Sequence, residues 1–104
     1  MIKIKGADRN GYVPSIMDTE PGICYLCGAE GDTVRHEVFY GRKNRRMSKE
    51  KGTWVNVCPH CHRIVHEMPD NGRADRLLKR ETYRKFVELH SKEIFFANFG
   101  RYYD

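Results

Sequence analysis

Cys24-Tyr25-Leu26-Cys27 and Cys58-Pro59-His60-Cys61-His62-Arg63-Ile64-Val65-His66 are the two stretches that decide the fold. Each C-x-x-C lets one tight turn present two sulfurs to one ion, and together the pairs use every cysteine in the chain. The thiols therefore form one complete tetrahedral set with no remainder. Four thiolates satisfy Zn2+ fully, which predicts a closed, structural zinc site. Two disulfides are the competing reading, and His60, inside the second pair, is the competing ligand. Gly28 follows the first pair and supplies the positive φ that such a turn requires.

Outward from the first pair, Thr33-Val34-Arg35-His36-Glu37-Val38-Phe39-Tyr40 has β-branched and aromatic residues at strand density and ends at Gly41. Thr53-Trp54-Val55-Asn56-Val57 reads as a second strand running into Cys58. The basic excursion between them, Arg42 to Lys51, has no apolar stripe and is either a loop or an exposed helix ending at Gly52. Pro59 opens a helix to Glu67, because a proline in the first turn forfeits no hydrogen bond there. His62 and His66 lie one turn apart on it, so both imidazoles leave the same face. Pro69, Asn71 and Gly72 end that helix. Ala74 to His90 is the clearest helix, with Ala74, Leu77, Leu78, Phe86 and Leu89 as its apolar stripe. The segment Ile94 to Phe99 is apolar enough to pack on the body. Residues 1–22, a strand over Ile2 to Lys5 and then an irregular, turn-rich segment, form an arm that is either mobile or draped over the body, and residues 23–104 form the domain proper.

At 104 residues this is a single domain, too small for burial alone to give more than a modest core. With 39% hydrophobic and 32% charged residues, the chain is expected to draw part of its folding free energy from bound metal and to fold poorly without it. A net charge of +5 and a pI near 9.1 favour a polyanionic partner, with a solvated basic face as the alternative. No stretch has the pattern of a signal peptide or a membrane span, so the expected location is the cytoplasm, where thiols stay reduced and bind metal.

A second constellation sits inside the first. His36 on the strand, with Glu37 beside it, is expected to fold back over the helix that carries His62 and His66, so that three imidazoles meet at one point. Such a site with open coordination positions suits a divalent ion that touches substrate. The alternative is that His62 and His66 are ordinary polar residues of a helix face.

The order C-x-x-C, histidine-bearing strand, C-x-x-C-H-x-x-x-H resembles the HNH endonucleases, the ββα-metal or His-Me finger nucleases. The run Arg35 to Gly41, with Asn44-Arg45 and the Phe99-Gly100-Arg101-Tyr102-Tyr103 ending, is similar to small HNH-like proteins of phages and prophages. The resemblance implies an α+β fold: a small zinc-stapled ββα-metal, treble-clef-like domain with an additional C-terminal helix. It implies metal-dependent hydrolysis of DNA phosphodiesters, by nicking or cutting, in a bacterial host cell. Structural Zn2+ would sit on Cys24, Cys27, Cys58 and Cys61. A catalytic ion such as Mg2+, Mn2+ or Ni2+ would sit on His36, His62 and His66. DNA is the implied partner, along with phage replication, recombination or packaging proteins.

In that family a ligand and a general-base histidine are adjacent, and they fall here on His36 and Glu37. A carboxylate is intrinsically less basic than an imidazole. The roles can also be swapped, with Glu37 on the metal and His36 activating water. The residue that orients the base falls on Thr53, with Asn56 and Asn44 as displaced candidates. Arg42, Lys43, Asn44, Arg45 and Arg46 are expected to bind phosphates flanking the cut. Loss of the base histidine leaves a second reading, a catalytically inactive zinc module that binds DNA or a protein.

Overall fold

A computed structural model of the chain describes residues 7–67 and 72–103. The strand expected at Ile2 to Lys5, and Pro69 and Asn71 at the end of the histidine helix, lie outside them. Among the described residues the elements run β1 (Val34–Glu37), α1 (Arg42–Lys51), β2 (Trp54–Val57), α2 (Pro59–Glu67), α3 (Arg73–Leu89) and α4 (Lys92–Phe99). The result is a small α+β body with one two-stranded sheet. No helix among the described residues is long and apolar enough to cross a membrane.

β1 and β2 pair antiparallel, with Val34 opposite Val57, Arg35 opposite Asn56, His36 opposite Val55 and Glu37 opposite Trp54. Alternation along the strands then divides the hairpin into two faces. His36, Val55 and Val57 share the core-facing side and are all fully buried. Arg35, Glu37, Trp54 and Asn56 share the other, which the N-terminal arm covers. Of the two states open to the arm, draped is the one observed over its described residues. The Trp54 indole N–H donates to the Val13 carbonyl at 2.8 Å, and the Asn56 amide donates to Thr19 Oγ1 at 2.9 Å. Arg35 lies over both the Tyr12 and Trp54 rings, 4.5 and 5.0 Å from their centroids, where the rings meet edge-to-face, and pairs with Asp8 at 2.6 Å. A stacked guanidinium with its charge matched holds the arm where apolar contact is sparse.

The excursion between the strands is a helix, although its sequence lacks an apolar stripe. Its inner face is made of Ser48 and Met47 instead. Ser48 is fully buried, and its hydroxyl donates to the Phe39 carbonyl at 2.8 Å while accepting from the Phe39 amide at 3.3 Å. A hydrogen-bonded serine thus does what an apolar residue usually does, which is why periodicity missed it.

A correction concerns the stripe of α3, while the tail packs on the body as expected. Leu77 and Leu89, read as stripe residues, are 48% and 50% exposed, and the buried face is Asp75, Leu78, Lys79, Thr82, Tyr83 and Phe86. That face tolerates charge because Asp75 and Lys79 pair at 3.0 Å and the Thr82 hydroxyl donates to the Leu78 carbonyl. The apolar tail is a helix, capped by Ser91, whose hydroxyl accepts from the Ile94 amide at 3.1 Å. It drives Phe95 and Phe99 into a cluster with Phe39 and Phe86, with ring centroids 4.7 to 5.0 Å apart for Phe39 against Phe99 and Phe95. Edge and tilted contacts of this kind add about 1 kcal/mol each to the burial of the rings.

Gly52 ends α1 at φ 73° and donates its amide to the Ser48 carbonyl. A Cβ there would lie 2.5 Å from the Pro14 carbonyl oxygen of the arm. Gly28 has φ 77° with nothing within 4 Å of an added Cβ. Gly28→Ala is therefore expected to cost about 1 kcal/mol, the left-handed penalty alone. Gly52→Ala should cost about 2 kcal/mol or more, because the arm must also shift. Urea denaturation of the zinc-loaded variants checks the order.

Candidate metal centres

The knuckle places its two sulfurs by its own backbone. The Gly28 amide donates to the Cys24 carbonyl at 2.8 Å, the Cys24 amide to the Ala29 carbonyl at 2.9 Å, and the Tyr25 amide to the Asn56 carbonyl of β2 at 2.8 Å. The Cys58 and Cys61 sulfurs come from the start of α2. All four sulfurs lie within 4.8 Å of one another, and Cys27 Sγ is 3.8 Å from Cys58 Sγ. A tetrahedron with Zn–S bonds of about 2.3 Å has an edge of about 3.8 Å, so the thiols are already at ligand spacing. None is joined in a disulfide, and His60 is exposed and outside the cluster.

The protonation of the thiols points the same way. Burial pushes Cys24 up, but amide donors from Cys58, Cys27 and Leu26 outweigh it and hold the thiol down at about 6. Burial and the neighbouring sulfurs push Cys61 up. One thiolate forms readily and opposes the next, so four of them coexist only around a cation. The cluster is compatible with a structural zinc site.

The second cluster is built from β1 and α2. His36, His62 and His66 each bring a ring nitrogen to within 4.8 Å of the others. His62 Nε2 and His66 Nε2 are 3.1 Å apart, and the His36 ring lies edge-on to both, at 5.3 and 5.1 Å between centroids. His36 is fully buried, and neither of its ring nitrogens has a hydrogen-bond partner. Two unmatched nitrogens on a buried ring are costly unless a ligand takes one of them. Burial, reinforced by charge on His66 and His62 and then by Lys79 and Arg45, pulls His36 down to about 3. Burial and His66 also lower His62, with Glu37 opposing and Arg45 assisting. His36 and His62 are thus neutral imidazoles at physiological pH, the form that offers a lone pair to a metal. A divalent ion fits this donor set.

The other expected site residues divide. Glu37 is half-buried at the end of β1 and outside the three-histidine cluster, yet its charge reaches His62 and it hydrogen-bonds the Tyr12 hydroxyl. Arg45 is exposed on α1 with its charge felt at both His36 and His62. Arg42 opens α1. Lys43 and Arg46 are exposed and Asn44 half-buried on the same helix, and Arg46 pairs with Glu50 at 3.0 Å. Asn56, a candidate for orienting the base, is turned to Thr19 of the arm. Thr53 is fully buried, and its hydroxyl has no hydrogen-bond partner.

Sequence reading missed Tyr40, Asp75 and Lys79. The Tyr40 ring packs on His66 at 4.8 Å, its hydroxyl donates to Asp75 Oδ2 at 3.1 Å, and the Lys79 ammonium lies 4.3 Å over the ring. This group buttresses His66 from α3. The signal was present: Asp75 and Lys79 are an acid–base pair at i and i+4 in line with Leu78, Thr82 and Phe86, where solvated charges do not belong.

Two predictions follow from these geometries. Chelating zinc should unfold the chain cooperatively, read by circular dichroism, and Cys24→Ser should lose zinc even at saturating metal; retention of the native melt after full zinc removal would refute the structural role. With zinc held on the thiols, isothermal titration with Ni2+ should detect one further site, abolished in His36→Ala without change in zinc content.

No family model matches this chain, and comparison with curated proteins and with solved structures returned no match.

Proposed function

We propose that this chain is a metal-dependent DNA endonuclease of the ββα-metal, HNH type, with knuckle, hairpin and α2 as its zinc-stapled treble clef. The observation that carries the reading is the meeting of His36, His62 and His66 with both His36 nitrogens buried and unpartnered. A divalent ion such as Mg2+, Mn2+ or Ni2+ held there supplies stabilisation of the charge that grows on the scissile phosphate and the leaving 3′ oxygen.

The protein groups divide the remaining work. His36, enclosed and neutral, suits the ligand role better than the base role, since it faces the other imidazoles and not solvent. Glu37, adjacent and half-exposed, suits the role of taking a proton from the attacking water. Arg45 adds a guanidinium beside the cluster for a non-bridging phosphate oxygen. Tyr40, anchored through Asp75, keeps the His66 ring from rotating away.

Supercoiled plasmid incubated with zinc-loaded protein and Mg2+, Mn2+ or Ni2+ should be nicked, and His36→Ala and His62→Ala should abolish nicking. Glu37→Gln should lower kcat by about 100- to 10,000-fold, the usual contribution of a positioned base. Glu37→His should restore nicking with a pH profile that rises through the imidazole range. Absence of cleavage with every metal, with DNA binding intact, would assign the chain instead to the non-catalytic zinc-stabilised binding modules.

A further inference from the structure

α3 carries Arg73, Arg76, Arg80 and Arg84 on its outward side, all four exposed. Their spacing, i, i+3, i+7 and i+11, keeps them on one side of the helix. At about 1.5 Å per residue the row spans about 16 Å, the axial advance of about five nucleotides of one strand at 3.4 Å each.

Three features separate this row from a solvated charge run. Three arginines on other elements are matched by acids: Arg35 with Asp8, Arg46 with Glu50 and Arg63 with Glu67. Among the described residues none of the four in the row forms an ion pair. Of the three acids of α3, Asp75 is buried against Lys79 and Glu81 accepts the Tyr25 hydroxyl of the knuckle, which leaves Glu88, one turn beyond Arg84, as the acid at the far end of the row. Arg73, Arg76 and Arg80 also converge with Leu77 around a concavity of about 410 Å3, large enough for a phosphate with part of its sugar.

Asp75, on the opposite, buried face of α3, holds the Tyr40 hydroxyl, and the Tyr40 ring lies against His66, so the helix that carries the row also packs on the buttress of the histidine cluster. We propose that the outer face of α3 is a second phosphate-tracking surface, which engages the nucleic-acid backbone outside the histidine cluster. Arginine is suited to it, because its planar fork takes two phosphate oxygens at once. The inference rests on the nucleic-acid reading above and extends it from the cleft to a footprint.

The test measures binding separately from cleavage. Zinc-loaded protein, with no other divalent ion added, is titrated onto a short fluorescent duplex over a series of KCl concentrations. Arg76→Gln/Arg80→Gln/Arg84→Gln should flatten the slope of log K against log salt by about 2–3 and weaken binding roughly 10- to 100-fold. Arg63→Gln/Lys92→Gln/Arg101→Gln removes the same net charge elsewhere and should stay within about twofold, since distant exposed charges are screened. Thermal melts of both triple variants should match the parent. An unchanged slope in the row variant, or an equal effect in the control, overturns the proposal. So does equal, row-dependent binding to polyglutamate, which would make the surface a dock for acidic protein. If the parent nicks plasmid but the row is silent, the α3 surface alone falls. If the row governs binding and no metal supports nicking, the nuclease reading falls and the surface stands.

Discussion

Four sulfurs drawn to within 4.8 Å of one another are the constraint on which the remaining structure depends. Two come from a short knuckle that, besides Cys24 itself, touches the core through Tyr25 and Leu26, and two from the entry to α2, so an ion on the sulfurs would tie these segments far more tightly than packing does. Packing cannot replace it, because the knuckle exposes Cys27 and Gly28 and buries only Cys24. The tie fixes where α2 begins and how it is rotated against β2. That rotation sends His62 and His66 toward β1, where His36 emerges from the core face of the hairpin.

The hairpin register is the second condition. A slip of one residue would turn His36 to the arm and Glu37 to the core. Burial opposes it, since the slip would carry the charged Glu37 against the fully buried Val55 and Val57 of β2. The aromatic cluster of Phe39, Phe86, Phe95 and Phe99 lies just beyond the strand end and anchors β1 along its length. Core and cluster thus share one segment of chain: Phe39 is held by α4, and three residues earlier His36 meets His62 and His66.

What the sequence disclosed follows from the range of the signals. The Cys pairs, both strands and α2 are local patterns with fixed spacing, and each appeared within a few residues of expectation. The two-sided role of β1 could not be read, because strand alternation tells which residues share a face but not which face meets α2. Which of Glu37 and His36 faces the helix became legible only once the arm was seen to cover the other side. The helix option at α1 and the helix at α3 were legible, but their buried faces were not, because those faces use Ser48, Asp75, Lys79 and Thr82, polar groups matched by partners distant in sequence or one turn away. Hydrophobic periodicity registers burial only where burial is apolar. The tail was legible as apolar but not as helical, since nothing in Ile94 to Phe99 alone distinguishes a strand from two turns of helix, and Ser91 as a cap becomes meaningful only once the helix is known.

Both clusters take ligands from α2, Cys58 and Cys61 at its start and His62 and His66 just beyond, so one rigid element couples them. Thiolate sulfur favours zinc, whereas imidazoles with open positions accept several divalent ions, which lets one ion remain while the other exchanges. Whatever free energy the sulfur site contributes to orienting α2 is free energy the histidine site need not supply on loading. Because binding couplings are reciprocal, an ion on the histidines must tighten the hold on zinc by the same factor that zinc tightens the histidines. Were both ions bound, the buried and unpartnered nitrogens of His36 would be the link between them: without zinc to set α2, the imidazole would have neither a metal nor a protein group to face.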